Sequence, residues 1–206
     1  MRGSFKFQVS SPKSQARKNL IHKPSKGFME HLTYGPSAGQ VFSKAVIELT
    51  AHGISHPRLD AEVLLAHALG TDRTGLYTRL HVPLSLEQQE TFRVLFQRRM
   101  QREPLQYITS VREFWSLEFK VDLRVLIPRP ETEVVVETAL RLLSQSAIRN
   151  PQSAILDVGT GSGCIAIALT KRIPCSRMLG IDRSWDALRV ARTNGRQHKV
   201  SGRIDW

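Results

Sequence analysis

The stretch that decides the fold is AILDVGTGSGCIAIAL, Ala154 to Leu169. A short apolar run, Ala154–Val158, meets a turn with Gly159, Gly161 and Gly163 at every second position, and a second apolar run follows. The first run has the length of a strand; the second, Ile165 to Arg172, reads as a helix that stops before Pro174. A turn of this kind sits at the carboxyl edge of a sheet, where open α/β folds bind ligands. Glycines there let the backbone approach a ligand closely, and free amides at the helix start favour an anionic group.

Working outward, Met178 to Ile181 reads as a second strand, and Ser184 caps a helix running to Asn194. This βαβα order predicts an α/β fold with a doubly wound parallel sheet. The sequence ends at Trp206, where a third strand should be finishing. Open sheets usually hold about five or six strands. The sheet is therefore expected to be incomplete within these 206 residues, with an unpaired edge, an uncovered apolar face and marginal stability in isolation.

Upstream of the glycine turn the patterns differ. Val41, Phe42, Ala45, Val46 and Leu49 form a helical stripe that ends before Gly53. Pro57 opens a second helix, with Leu59, Val63, Leu64, Ala66 and Ala68 at helical spacing and Gly70 as its stop. A short helix near Arg73 to Leu80 follows, and Ser85 with Gln88 forms a capping box for a long helix to about Glu103. After Pro104 the period becomes two. Leu117, Phe119 and Val121 face one way and Glu118, Lys120 and Asp122 the other, which reads as one arm of a hairpin beginning near Gln106. Pro128 and Pro130 end it, and Thr132 is the expected cap of a helix through about Leu143.

Net charge is +12, but residues 1–38 hold seven basic side chains against the single acid Glu30, which is half of the excess. That segment is rich in Ser, Lys, Pro and Gly, and is expected to be a solvated, disordered tail. A transit peptide shares the composition, yet Pro12, Pro24 and Gly27 would interrupt its helix; an upstream start ahead of a natural Met29 explains the segment equally well. No apolar run reaches the roughly 20 residues a membrane span needs. Cys164 and Cys175 make neither a metal-spaced cluster nor a disulfide framework, which suits a reducing, cytoplasmic compartment.

Three ligands compete for the glycine turn. A phosphate loop requires Gly-Lys-Ser/Thr, and Gly163 is followed by Cys164. NAD remains open, because GSGCIA fits the alanine form of the dinucleotide fingerprint loosely. S-adenosylmethionine fits better. Asp157 stands two residues before the turn, and Asp182, 19 residues past Gly163, ends the next strand where an acid can bind a ribose.

Further upstream, REFWSLEFKVDLRVLIPRPETE (Arg112–Glu133) and RMQREPLQYI (Arg99–Ile108), together with LDAEVLLAHALG, give the sequence a recognisable character. From about Val41 to Trp206 the chain resembles the release-factor glutamine methyltransferases, the HemK/PrmC family, and IPRPETE is the most specific element. The resemblance implies a class I methyltransferase domain that binds S-adenosylmethionine and methylates the glutamine of a Gly-Gly-Gln loop in a peptide chain release factor. Gly159, Thr160, Gly161, Ser162, Gly163 and Asp182 would then hold the cofactor, with Asp157, Pro130, Glu131 and Thr132 as further neighbours. The final IDW resembles the family's strand-end Asp-Trp, so Trp206 would pack against the adenine. It also implies a helical substrate-recognition domain over 39–103, a hairpin linker over 104–130 and a partial cofactor-binding domain over 131–206.

The family's catalytic Asn-Pro-Pro-Tyr follows the fourth strand and is expected beyond Trp206, so no catalytic residue is assigned and this chain is expected to be inactive alone. Asn150 opens a decoy, NPQS, that precedes the first strand. His52, His56 and Asp60 are interrupted by Gly53 and Pro57 and are set aside as a metal face; no metal is expected. Cys164 is expected to be a small buried side chain. Arg98, Arg99 and Arg102 are expected to form a solvated face rather than contact RNA or a release factor. The rival readings are a nucleic-acid amino-group methyltransferase and a non-catalytic S-adenosylmethionine- or NAD-binding module.

Overall fold

The computed structural model describes residues 35–145, 154–173 and 176–206. The tail expected over residues 1–38 lies outside them as far as residue 34, and the Asn150 decoy and Cys175 lie outside them too.

The described residues begin with helices. α1 (Ala38–Ala51) starts three residues before its apolar stripe. Its capping box explains the early start: Gln40 N–H donates to Ser37 Oγ at 3.3 Å, and Ser37 N–H donates to Gln40 Oε1 at 2.9 Å. Ala38 is buried. α2 (Pro57–Ala68) and α3 (Arg73–Thr78) follow, then α4 (Leu86–Met100) behind the Ser85–Gln88 box. Phe42, Leu49, Leu64, Leu65, Leu76, Phe92 and Leu95 fill the core between them. Each contributes about 1.5–3 kcal/mol by burial. Leu59, read as part of the α2 stripe, is instead 41% exposed; Ala61 and Leu65 take its place inside.

The arginines of α4 correct an expectation. All three are tied to other parts of the helical unit, although Arg102 is exposed as expected. Arg99 Nε donates to the buried Asp60 at 2.5 Å, Arg98 grips Glu103 through two nitrogens, and Arg102 Nη2 donates to His52 O at 3.0 Å. The buried Asp60, the half-buried Glu103 and a backbone carbonyl thus engage all three guanidiniums. Glu62, 3% exposed, binds Arg73, Arg58 and the Tyr77 hydroxyl and fastens α2 to α3.

The hairpin begins later than its alternation suggested. Leu105–Thr109 forms α5, a single helical turn whose Ile108 packs in the helical core. β1 (Val111–Phe114) and β2 (Leu117–Lys120) pair antiparallel only after it. Phe114 and Phe119 are buried edge-to-face with centroids 6.1 Å apart. The two-residue turn between them is Trp115–Ser116, both left-handed with φ 53° and 56°. That conformation favours Asn-Gly and costs an ordinary residue about 1–2 kcal/mol. Glu133 holds the turn in place, its Oε1 accepting the Trp115 N–H at 2.8 Å.

Pro130–Thr132 is a 3-10 turn leading into α6 (Glu133–Gln145), so Thr132 lies inside the turn and does not cap the helix. β3 (Ala154–Val158), β4 (Arg177–Ile181) and β5 (Ile204–Asp205) then form a parallel sheet in the order β3-β4-β5, with α7 (Cys164–Arg172) and α8 (Trp185–Gln197) as crossovers. Ile155, Met178 and Ile204 face inward against this layer. On the other face Leu156, Val158, Leu179 and Ile181 are 40–71% exposed. Among the described residues, β3 has a strand partner on one side only. The fold is mixed α/β, with a helical unit, a hairpin and a Rossmann-like sheet that is incomplete in this chain. Among the described residues, no helix is long and apolar enough to cross a membrane.

Candidate functional site

The turn between β3 and α7 is set by three left-handed glycines: Gly159, Gly161 and Gly163 have φ of 75°, 54° and 80°. Their surroundings separate them into two kinds. A Cβ at Gly159 would meet nothing within 4 Å, and one at Gly161 only the Gly159 carbonyl at 3.9 Å. The outer wall of the turn is therefore bare backbone open to a ligand. At Gly163 a Cβ would lie 2.9 Å from Trp206 and 3.2 Å from Ala191. That glycine is required for packing.

Hydrogen bonds lock the turn to the end of β4. Gly159 N–H and Thr160 N–H both donate to Ile181 O, at 2.8 and 3.0 Å. Asp182, the next residue, accepts the Gly161 N–H through Oδ2 and the Ser184 N–H through Oδ1, each at 2.9 Å. The acid read as a ribose binder is thus already part of the turn. Each of its oxygens retains a lone pair for a further donor. Asp157 Oδ2 accepts the hydroxyl of buried Thr160 at 2.7 Å, and Gly163 N–H closes the turn on Thr160 O at 2.8 Å. Asp157 therefore braces the turn from beneath. The bare wall at Gly159 and Gly161 beside a half-buried carboxylate fits a small ligand carrying hydroxyl groups.

Trp206 continues β5, and its ring occupies a slot made by three glycines. Cβ atoms built at Gly163, Gly180 and Gly195 would meet it at 2.9, 2.6 and 3.4 Å. Its carbonyl accepts from Arg192 Nη2 at 3.0 Å. The indole thus packs between the sheet and α8. Pro130 and Glu131 are exposed and Thr132 half-buried; among the described residues no hydrogen bond joins them to the glycine turn. Ser162 and Cys164 are buried. Burial pushes the Cys164 thiol up to about 11, so it is neutral at physiological pH and no nucleophile. Among the described residues, no group of three or more His, Cys, Asp or Glu side chains can hold a metal.

Sequence reading missed two positions. Asn194, wholly buried in α8, bonds to Ser162 O inside the turn and to both backbone groups of Lys120. Glu133 fixes the strained hairpin turn. The only sequence signal for Asn194 was a polar residue on the inner face of an amphipathic helix.

Two family models match the chain. The PrmC N-terminal domain matches residues 40–109, and the methyltransferase small domain matches residues 133–206. A release factor glutamine methyltransferase of Chlorobaculum tepidum is 51% identical over 152 residues, 73% of this chain and 52% of that protein. Across both matched domains the chain is similar to the release factor glutamine methyltransferases. A relative of the same name from Geobacter sulfurreducens is 45% identical over 150 residues, 73% of this chain and 51% of its own length. The chain spans about half the length of these family members. The X-ray structure of YjhP from E. coli is 28% identical, over 37% of this chain and 29% of that one, with a TM-score of 0.31, a likeness too small to bear on the fold. The helical unit coincides with the first matched domain, and the glycine turn, Asp182 and Trp206 lie in the second.

Proposed function

We propose that the protein carrying this chain uses S-adenosylmethionine to methylate the side-chain amide nitrogen of the glutamine in the Gly-Gly-Gln loop of peptide chain release factors. The observation that carries the reading is the bare glycine wall at Gly159 and Gly161 with the Asp182 carboxylate bonded into it. The names of the relatives support the choice of substrate. When bound, the cofactor supplies an electrophilic methyl group on sulfur.

In this reading the chain's own residues do the holding. Asp182 accepts the ribose hydroxyls, each charge-assisted bond contributing about 1.5–3 kcal/mol. Gly159 and Gly161 admit the ligand against the backbone, and Thr160 and Ser162, their side chains buried behind that wall, would take part through the backbone of the turn. Pro130, Glu131 and Thr132 remain candidate neighbours from the start of α6. Trp206 holds the end of β5 against the turn and is the proposed packing partner of the adenine. A primary amide is a poor nucleophile, so methyl transfer depends on positioning groups that orient its nitrogen. The family's Asn-Pro-Pro-Tyr is not among these 206 residues, and the contribution proposed for them is cofactor binding and recognition of the release factor by 39–103. The cytoplasm is the proposed compartment, supported by the sparing use of cysteine.

Calorimetric titration tests the cofactor. Saturable binding of S-adenosylmethionine, with none of NAD, is expected; the reverse preference would end the reading. Transfer of labelled methyl to a release factor, but not to a variant with the Gly-Gly-Gln glutamine replaced, tests the substrate. Label appearing only in DNA or RNA would favour the nucleic-acid rival.

A further inference from the structure

We propose that Asn194 is a positioning residue that couples the hairpin to the glycine turn, so that ordering of one is felt by the other. The cofactor arm of this inference rests on the reading above; the coupling itself does not.

Asn194 is 0% exposed in the last turn of α8, a position where an uncompensated polar side chain would be costly. Its carboxamide is fully engaged. Oδ1 accepts the Lys120 N–H at 2.8 Å; Nδ2 donates to Lys120 O at 3.0 Å and to Ser162 O at 2.9 Å. One amide thereby imitates a strand neighbour for the outer edge of β2 and reaches the cofactor turn with its second proton. The orientation is fixed by chemistry, because the Lys120 N–H can only donate and the two carbonyls can only accept.

The grip on the turn falls at a sensitive place. The peptide unit joining Ser162 to Gly163 is held at both ends: its carbonyl by Asn194 and its N–H by Thr160 O at 2.8 Å. Gly163 is left-handed, a conformation glycine adopts without preference over its mirror image. Asn194 therefore selects the peptide orientation that leaves the wall at Gly159 and Gly161 facing outward. Gln197 Nε2 and His198 Nε2 bond to Glu118 O at 3.0 and 2.8 Å and bind the hairpin alone. They are natural controls.

The test compares two sets of variants by backbone hydrogen exchange and by titration with S-adenosylhomocysteine. Asn194→Asp keeps the acceptor and loses both donors; Asn194→Ser is the milder second variant. Either is expected to speed exchange of the amides at 159–164 about tenfold and to weaken the ligand by a similar factor. The double change Gln197→Ala/His198→Ala is expected to speed exchange in β2 only, with affinity within twofold of the unaltered chain. Equal effects from both sets, or Asn194 variants whose turn exchanges at the unaltered rate, would overturn the coupling. The unaltered chain gives a further measurement that needs no variant. Coupling is reciprocal, so S-adenosylhomocysteine should slow exchange of the Lys120 amide, which lies outside the turn. Slowing at 159–164 with none at Lys120 would also overturn it. Failure of the unaltered chain to take up the ligand would count against the cofactor reading, while the ligand-free exchange comparison would still decide the coupling.

Discussion

The Asp182 carboxylate accepts the Gly161 N–H at 2.9 Å, which makes the end of β4 and the turn after β3 a single assembly. Its other oxygen accepts the N–H of Ser184, the residue whose side chain caps α8. Replacing Asp182 by Asn removes the charge and leaves one oxygen for two amides. Stability should fall by about 1 kcal/mol, the size of one lost hydrogen bond, and S-adenosylmethionine affinity at least tenfold. Denaturant unfolding and calorimetric titration on the same sample check both. Unchanged affinity would remove Asp182 from the cofactor-holding set.

The slot around Trp206 makes a steric prediction. A Cβ at Gly180 would lie 2.6 and 2.7 Å from the indole ring, so Gly180→Ala should cost about 1–3 kcal/mol by overpacking. Trimming the ring in the Trp206→Leu background should recover most of that loss. A double-mutant cycle measures the recovery; additive losses would mean that ring and glycine do not press on one another.

Ser116 offers the opposite effect. It sits at φ 56° in the hairpin turn, a conformation glycine adopts freely. Ser116→Gly should therefore stabilise the chain by about 1 kcal/mol. A rise in the unfolding midpoint at unchanged denaturant slope is the expected signature.

Glu62 sets a pH dependence. Burial alone would raise its carboxyl, but the Tyr77 hydroxyl and the Arg73 and Arg58 guanidiniums outweigh burial and hold it below the ordinary value. The folded state thus binds the proton less well than the unfolded one. The stabilisation is complete above the usual glutamate value of about 4.3 and fades as pH falls through the depressed value. Glu62→Gln should cost about 2 kcal/mol at pH 7 and progressively less toward pH 3. Unfolding curves for both proteins across that range check the sign; a gap that widens on acidification would contradict it.

Much of the fold was legible from local pattern. The apolar run ending at Val158, the glycines at 159, 161 and 163 and the acid at 182 specified a strand, a turn, a helix and a neighbouring strand, since each feature depends on residues a few positions apart. The Ser85–Gln88 box was visible for the same reason; the Ser37–Gln40 box escaped because it lies ahead of the apolar stripe. The 105–109 turn escaped because five residues hold too little periodicity to oppose a nearby alternation.

What the sequence by itself determined is which residue types stand where backbone freedom, alternation or capping is needed: three glycines in a turn, Leu117 and Phe119 on one face of a strand, an acid at a strand end. Only the tertiary structure decided who meets whom. Arg99 finds Asp60 across 39 residues, Asn194 finds Lys120 across 74, and Trp206 finds a slot between Gly163, Gly180 and Gly195. Periodicity reports the face a side chain turns to, but the partner on that face is fixed by the packing of distant segments, which no local spacing encodes.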